Sequence, residues 1–172
     1  TIHLAAKAIL ALKDIKFTNS HEMGNGVLTP TGLLTDSNTS MAPSKTIIRF
    51  DRRTVPGDDE SLTRKEIMNV LNKIDSNAFL LDIEESEVDT YTGKKILCKK
   101  VFHPWVIEKN HQFVNSLIQA VQKNNIPIDL GYWPFCTNGV ESMGNRQINT
   151  IGFGPGNEEL AHTTDEYVEV KQ

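Results

Sequence analysis

The sequence predicts an α/β protein, and three local patterns indicate this class. From Thr46 to Arg52, apolar and polar side chains alternate, which predicts a strand of a sheet that is covered on one face. Thr63 and Glu66 have the spacing of a capping box, so a helix is expected to begin there. An alanine-rich segment near the start predicts another helix, whose apolar face is formed by Ala5, Ala6, Ile9, Leu10 and Leu12.

The remaining elements of the first part follow in order. Residues 27–34 predict a strand, which Pro30 restricts to an edge or an irregular position. Residues 79–84 alternate like a half-buried strand, and residues 96–101 are its expected antiparallel neighbour across a turn near Gly93. The order α-β-β-α-β matches a ferredoxin-like βαββαβ unit that lacks its first strand, with two helices covering one face of an antiparallel sheet.

A second domain is expected after this two-layer α/β sandwich. Pro104 and Trp105 mark the end of the first unit, and residues 108–124 predict a third helix. Residues 128–132 and 149–153 are predicted strands on either side of a loop and helix. We therefore divide the chain into residues 1–108 and 109–172. The 64 residues of the second part are too few to close an α/β core of their own.

The composition excludes some classes of partner and predicts a compartment. The 172 residues are 38% hydrophobic, with a net charge of −4 and a pI near 5.7. Nothing in these values favours binding to nucleic acid or to an anionic membrane. The sequence contains no secretory segment and no run of eighteen apolar residues, and Cys98 and Cys136 lie far apart. We expect a reduced, cytoplasmic setting in which both thiols are buried apolar side chains.

The segment after Ile151 is the main candidate for a functional site. Ile151 and Phe153 are expected to close a buried strand. Gly154 and Gly156 allow positive φ and a close approach of the backbone to a ligand, and Pro155 stiffens the turn between them. This turn presents His162 in an acidic loop. A metal site needs three or four ligands, so a metal ligand and an ordinary surface or core histidine both remain open.

Several motifs resemble the M20 family of metallohydrolases, which includes acetylornithine deacetylase and succinyl-diaminopimelate desuccinylase. Gly-Phe-Gly-Pro-Gly followed by Ala-His-Thr-x-x-Glu-Tyr-Val, over residues 152–168, resembles the C-terminal signature of that family. Residues 51–57 resemble its Asp-x-Arg strand end, and residues 136–140 resemble the loop before its last strand. Residues 91–93 and 102–106, together with 137–140, are most similar to its selenium-metabolism-linked branch of hydrolases.

This resemblance implies a fold and an activity. Residues 1–108 would be the family's lid or dimerisation domain without its first strand, and residues 109–172 the C-terminal part of its α/β zinc-hydrolase catalytic domain. The complete enzyme would hold two zinc-type ions (Zn²⁺, Co²⁺ or Mn²⁺) that activate water, with His162 as one metal ligand. It would cleave the amide bond of a small N-acylated amino acid or peptide, and it would form a homodimer through the lid.

Substrate contacts are expected at two places. The guanidinium groups of Arg52 and Arg53 suit a substrate carboxylate, because their geometry allows two parallel hydrogen bonds. A surface ion pair with a nearby acidic residue is an equally good interpretation of either arginine; the candidates are Asp58, Asp59 and Glu60. By resemblance, the acyl or carboxylate pocket would be lined by Thr137, Asn138, Gly154, Pro155 and Gly156.

The other catalytic motifs of the family have no counterpart in the sequence. No His-x-Asp occurs, and Glu84-Glu85 is better interpreted as an exposed strand end than as a catalytic pair. We therefore assign no catalytic residue to this chain and predict that it is inactive alone. The alternative hypothesis is a stand-alone ferredoxin-like module that binds a small ligand or dimerises without catalysis. A reading frame that continues upstream into His-x-Asp and Glu-Glu motifs would favour the hydrolase.

Overall fold

A computed structural model describes residues 1–37, 40–133 and 135–171. It confirms an α/β fold, because helices and small antiparallel sheets occur together. The helices are α1 (Ile2–Leu12), α2 (Glu60–Leu71) and α3 (Gln112–Lys123). The strands are β1 (Ser20–His21), β2 (Gly24–Asn25), β3 (Val27–Thr35), β4 (Thr46–Arg53), β5 (Glu85–Asp89) and β6 (Lys95–Lys99). The chain divides into two compact units, Thr1–Pro104 and Trp105–Gln172.

The β3–β4 hairpin is the main sheet of the first unit. It is antiparallel, with Val27 opposite Arg53 and Thr35 opposite Thr46. The register shifts between Pro30 and Gly32, so proline lies at an irregular position, as its missing N–H predicts. Side chains along β4 alternate between partly buried and exposed, which confirms the predicted two faces.

Both helices of the first unit contribute to one hydrophobic core with this hairpin. Ala5 and Leu12 are buried as predicted for α1. Ala8, which was not predicted, is fully buried, whereas Ala6 and Leu10 of the predicted apolar face are exposed. Leu28 supplies the contact from β3. Ile67 and Leu71 supply the contact from α2. Partly buried side chains surround this core; among them are Ile48, Phe50, Val70, Ile74, Phe79 and Leu81.

Helix α2 begins earlier than the capping box predicted. Its N-cap is Asp59, whose Oδ1 accepts a hydrogen bond of 2.7 Å from the backbone N–H of Leu62. Gly57, with φ of +94°, turns the chain just before this cap. The Glu66 carboxylate accepts from the backbone N–H of Thr18 at 2.7 Å instead of closing a capping box. The predicted start at Thr63 is therefore wrong, because Asp59 supplies an earlier acceptor for the free N–H groups.

The predicted strand at residues 79–84 is also wrong. Its partly buried and exposed side chains alternate as expected, but the segment has no ladder with another strand in the described part of the chain. An extended segment becomes a strand only when a neighbour supplies hydrogen bonds. The predicted turn is confirmed, since Gly93 has φ of +77° between β5 and β6. The described strands form three separate pairs, not the single sheet expected of a ferredoxin-like unit.

The described residues of the second unit include one regular α-helix. Helix α3 begins at Gln112, four residues after the predicted start, because the His111 side chain caps it by accepting from the Phe113 N–H at 3.1 Å. Val114 and Val121 are the buried side chains of this helix. The helix predicted between residues 137 and 146 is present as a π-helix, Val140–Asn145.

The two strands predicted in the second unit are not formed. Residues 128–132 and 149–153 have no strand ladder in the described structure, and Phe153 is exposed instead of closing a buried strand. The physical reason is the same as for residues 79–84, since neither segment has a paired neighbour. Close packing nevertheless occurs here, because a Cβ placed on Gly152 would overlap the ring of Trp133.

Two further expectations concern the cysteines and the membrane. Both thiols are free, but Cys136 is exposed and Cys98 is only partly buried, so their predicted burial is wrong. Cys98 lies on a two-stranded sheet and Cys136 lies on a loop, and neither position places the thiol in the core. Across the described residues, none of the helices combines the length and the apolar character that a membrane crossing requires.

Candidate functional site

The candidate residues lie in both units. Arg52 and Arg53 end β4 in the first unit, and the other candidates lie in the second unit. Successive side chains of a strand point to opposite faces, and here Arg52 is partly buried while Arg53 is exposed. The two neighbouring arginines therefore have different environments and cannot serve the same purpose.

Arg52 is held in a buried ion pair. Its Nη2 lies 2.6 Å from Oδ2 of Asp58, and the two side chains are 11% and 1% exposed. The guanidinium carbon also lies 3.6 Å from the ring centroid of Phe17, a cation–π distance. Burial lowers the pKa of Arg52 below its usual range, and the charge of Asp58 opposes that shift. Arg52 is thus committed to partners within its own unit.

Asp58 ties Arg52 to the turn that follows β4. Its Oδ2 also accepts the backbone N–H of Val55 at 3.0 Å, and its Oδ1 accepts from the Asn19 amide at 3.1 Å. Arg52 Nη1 in turn donates to the carbonyl oxygen of Arg53. One carboxylate therefore links the strand end, the turn and the segment after α1. The ion pair with Asp58 was one of the alternatives from the sequence, whereas nothing in the sequence singled out Phe17.

Arg53 remains accessible on the other face of the strand. Its Nε lies 2.7 Å from Oδ2 of Asp51, and the two side chains are 58% and 48% exposed. An exposed pair of this kind contributes little stability, because water and salt screen it. A carboxylate of a ligand can replace Asp51 at the guanidinium without uncovering a buried charge.

The Thr137–Asn138 loop is shaped by local hydrogen bonds. Thr137 Oγ1 accepts from the backbone N–H of Gly139 at 3.2 Å, and the Asn138 carbonyl accepts from Glu141 at 3.1 Å. Gly139 is buried under Trp105, and a Cβ there would overlap the indole ring. These contacts fix the backbone of the loop, while the side chain of Asn138 is exposed.

The Gly-Pro-Gly turn has the backbone freedom expected at one of its two glycines. Gly156 has φ of +104°, a value that side chains rarely adopt, whereas Gly154 has no positive φ. A Cβ on Gly154 would meet no atom within 4 Å, so the backbone there faces open space. The turn therefore presents an accessible backbone at Gly154 and Pro155.

His162 lies on a strained and exposed loop. Its φ is +63°, and Asp165 has the same value, which is uncommon for residues other than glycine. The Glu166 carboxylate accepts a 3.0 Å hydrogen bond from the backbone N–H of His162. Glu166 thus holds the loop through the backbone of His162.

A complete metal site is not present in this chain's described residues. No three side chains of His, Cys, Asp or Glu lie together there in a way that would hold a metal ion. The imidazole of His162 has the donor chemistry of a zinc ligand. It could supply one ligand, and the others would have to come from elsewhere.

Two curated relatives are similar to most of this chain. YgeY of Escherichia coli (strain K12) is 29% identical over 147 residues, which is 84% of this chain and 36% of YgeY. A probable succinyl-diaminopimelate desuccinylase of Staphylococcus aureus (strain MRSA252) is 26% identical over 130 residues, which is 74% of this chain and 28% of the relative. The chain therefore spans about a third of the length of the relatives it matches. No protein-family model matches the sequence. The relatives support the resemblance to M20-type hydrolases at the level of the superfamily and do not distinguish its branches.

Proposed function

We propose that this chain is part of an M20-type, metal-dependent amide hydrolase. The observation that carries the proposal is the similarity, over 130 residues, to a protein named as a desuccinylase. In this proposal, residues 1–108 belong to the lid or dimerisation domain and residues 109–172 are the C-terminal part of the catalytic domain. The substrate is a small N-acylated amino acid or peptide, and a succinyl group is the first acyl group to test.

His162 is the metal ligand in this proposal. A bound zinc-type ion, or a pair of them, would lower the pKa of water and polarise the amide carbonyl. The chain's own contribution is to present the imidazole on a fixed loop, which the bond from the His162 N–H to Glu166 supports. The open space at Gly154 gives a substrate room to approach the backbone of the Gly-Pro-Gly turn.

Arg53 is the better candidate for binding a substrate carboxylate. Its guanidinium is exposed and has only an exposed partner, whereas Arg52 is buried against Asp58. The exposed amide of Asn138 and the hydroxyl of Thr137 are assigned to the acyl pocket. Because the two arginines differ so clearly in burial, substituting each in turn separates binding from structural support.

A homodimer formed through the first unit is also part of the proposal. Within the described residues, strand β4 has a neighbour on one edge only. A free edge supplies unpaired N–H and C=O groups to another chain. We expect a dimer in light scattering at high concentration, and a monomer there would remove this part of the proposal.

The test compares His162→Ala with His103→Ala in the full-length protein. Elemental analysis and initial rates on an N-succinyl amino acid are measured for both variants. We expect His162→Ala to lose metal and nearly all turnover, because an imidazole ligand is removed. His103 is an exposed histidine with no assigned role, so His103→Ala should retain metal and turnover. Full metal content and normal turnover in His162→Ala would contradict the proposal.

Glu166→Gln gives an intermediate result in the same experiment. The glutamine keeps an acceptor for the His162 N–H but loses its charge, so we expect metal affinity to fall by about 10–100-fold at most. The 172-residue chain alone should show no metal-dependent hydrolysis, because a single ligand does not hold an ion in a geometry that activates water. Turnover by this chain that a chelator abolishes would show that the site lies elsewhere.

A further inference from the structure

We propose that Arg52 is a positioning residue, which fixes the backbone that carries the substrate-binding Arg53. This inference rests on the proposed function, since it gives Arg53 its role. The supporting geometry is a set of contacts that converge on Arg52 from Phe17, Arg53 and Asp58.

The first step is the contact with the backbone of Arg53 itself. Arg52 Nη1 donates to the Arg53 carbonyl oxygen, and Nη2 binds Asp58. Asp58 also accepts the N–H of Val55. The guanidinium and the carboxylate thus hold the peptide groups on both sides of Thr54. These contacts hold the backbone of Arg53 from one face of the strand, and the Arg53 side chain is exposed on the other face.

The second step is the shape of the cavity around the guanidinium. Phe17 covers one face of the group at 3.6 Å. A Cβ on Gly26 would overlap the guanidinium, so only glycine leaves room for that group there. Arginine suits this place because its planar group stacks on a ring and donates to two acceptors at once, whereas the lysine ammonium is a point charge. Arg52→Lys would keep the charge and lose this bidentate geometry.

The third step separates positioning from general stability. Arg49 lies on the same strand with a side chain that is 55% exposed, and its partner Glu84 is 3.9 Å away. Gly32 lies within β3, and Gly26 lies directly before that strand. A Cβ on Gly32 would lie 3.7 Å from the Arg49 side chain, which is an ordinary van der Waals contact. Arg49→Lys and Gly32→Ala are therefore matched controls for Arg52→Lys and Gly26→Ala. Gly26→Ala is informative because it displaces the guanidinium without changing its charge.

The first measurement is hydrogen exchange at the Val55 amide in the 172-residue chain. This N–H is bonded to Asp58, so it should exchange more rapidly when Arg52 no longer holds that carboxylate. We expect faster exchange in Arg52→Lys and Gly26→Ala, and unchanged exchange in the two controls. Unchanged exchange in both test variants would overturn the proposal, whatever the enzymatic activity of the full-length protein.

The second measurement is the KM of the full-length protein for two compounds. One is an N-succinyl amino acid, and the other is its analogue in which carboxamides replace both carboxylates. We expect Arg52→Lys and Gly26→Ala to raise the KM for the carboxylate substrate by about 10–100-fold, the effect of a misplaced binding group. The KM for the carboxamide should not change. A lower melting temperature with unchanged KM for both substrates would overturn the positioning role and leave a structural one.

Arg53→Lys distinguishes the failure of this inference from the failure of the proposed function. If Arg53→Lys leaves the preference for the carboxylate unchanged, Arg53 does not bind the substrate, and the assignment of Arg53 is wrong. If Arg53→Lys removes the preference while Arg52→Lys and Gly26→Ala leave it intact, Arg52 does not position Arg53. The positioning role requires that all three variants reduce the preference.

Discussion

The two units of this chain differ in how much of their apolar surface is buried. The first unit has a contiguous core in which Leu12 is almost inaccessible and Leu28 connects the hairpin to the helices. In the second unit, the buried hydrophobic side chains among the described residues are Val114 and Val121 of α3. Large side chains such as Trp133, Phe153 and Val170 are exposed there. The comparison teaches that apolar side chains remain exposed to solvent, even in a segment with a strong apolar pattern, when no element of the same unit packs on them.

The difference has a simple origin in hydrogen bonding and area. A hairpin such as β3–β4 pairs its own strands, and two helices then cover one of its faces. Residues 128–132 and 149–153 have no strand ladder within the described residues, so they form no sheet face that helices could cover. A small unit buries too little apolar surface to offset its conformational entropy. The first unit should therefore dominate the stability of the chain.

The largest expected effect is on proteolysis. We expect a non-specific protease to cut the 172-residue chain within residues 126–157 at least about 100-fold faster than within residues 5–71, because local opening costs less there. Mass spectrometry of the products over time gives the sites and the rates. Equal rates in the two units would break the comparison. Slower cutting of the second unit in the full-length protein would sharpen it, by showing that other parts of the protein cover these segments.

The next effect compares two leucines of one helix. Leu12→Ala empties a fully buried position, and such changes cost about 2–5 kcal/mol of the free energy of unfolding. Leu10 is 70% exposed, and an exposed substitution changes stability by no more than about 0.5 kcal/mol. Both substitutions place alanine in α1, so helix propensity is matched. Urea unfolding followed by circular dichroism measures both values, and similar losses would show that the core of the first unit is misassigned.

Local patterns in the sequence predicted a large part of the first unit. The alternation from Thr46 to Arg52 fixed both faces of β4, and Pro30 predicted the irregular position in β3. These elements depend on nearby residues, so a short pattern contains what they need. The strand prediction for residues 79–84 failed for the opposite reason. Alternation indicates which side chains are buried, but it does not indicate which strand pairs with the segment.

The candidate site was less predictable than the fold. The two-residue period of a strand predicts that Arg52 is buried if Arg53 is exposed. Phe17 and Asn19 come from a distant segment, and no local pattern in the sequence predicts their contacts. At Gly156 the positive φ was predictable from the turn sequence. The contact between Glu166 and the backbone of His162 was not, because one carboxylate in an acidic loop can reach several donors.

The smallest effect concerns the start of α2 and its dependence on pH. Asp59→Ala should destabilise the chain at pH 7, because the N–H of Leu62 loses its acceptor. Thr63→Ala should not, since Thr63 lies inside the helix and is not its cap. Hydrogen bonds from Leu62 and Ser61 hold the pKa of Asp59 below its ordinary value of 3.8. A lowered folded-state pKa stabilises the fold above the unfolded value, and this contribution disappears as the pH falls through the lowered pKa.

The difference in urea midpoint between the wild-type chain and Asp59→Ala should therefore be constant from pH 7 to about 5 and should shrink below about pH 4. Thr63→Ala is the control across the same range, where its midpoint should follow that of the wild-type chain. A loss in Thr63→Ala that exceeds the loss in Asp59→Ala would restore the capping box as the start of α2. It would also weaken the contrast between the units, because the turn that Asp58 and Asp59 close is part of what holds the first unit together.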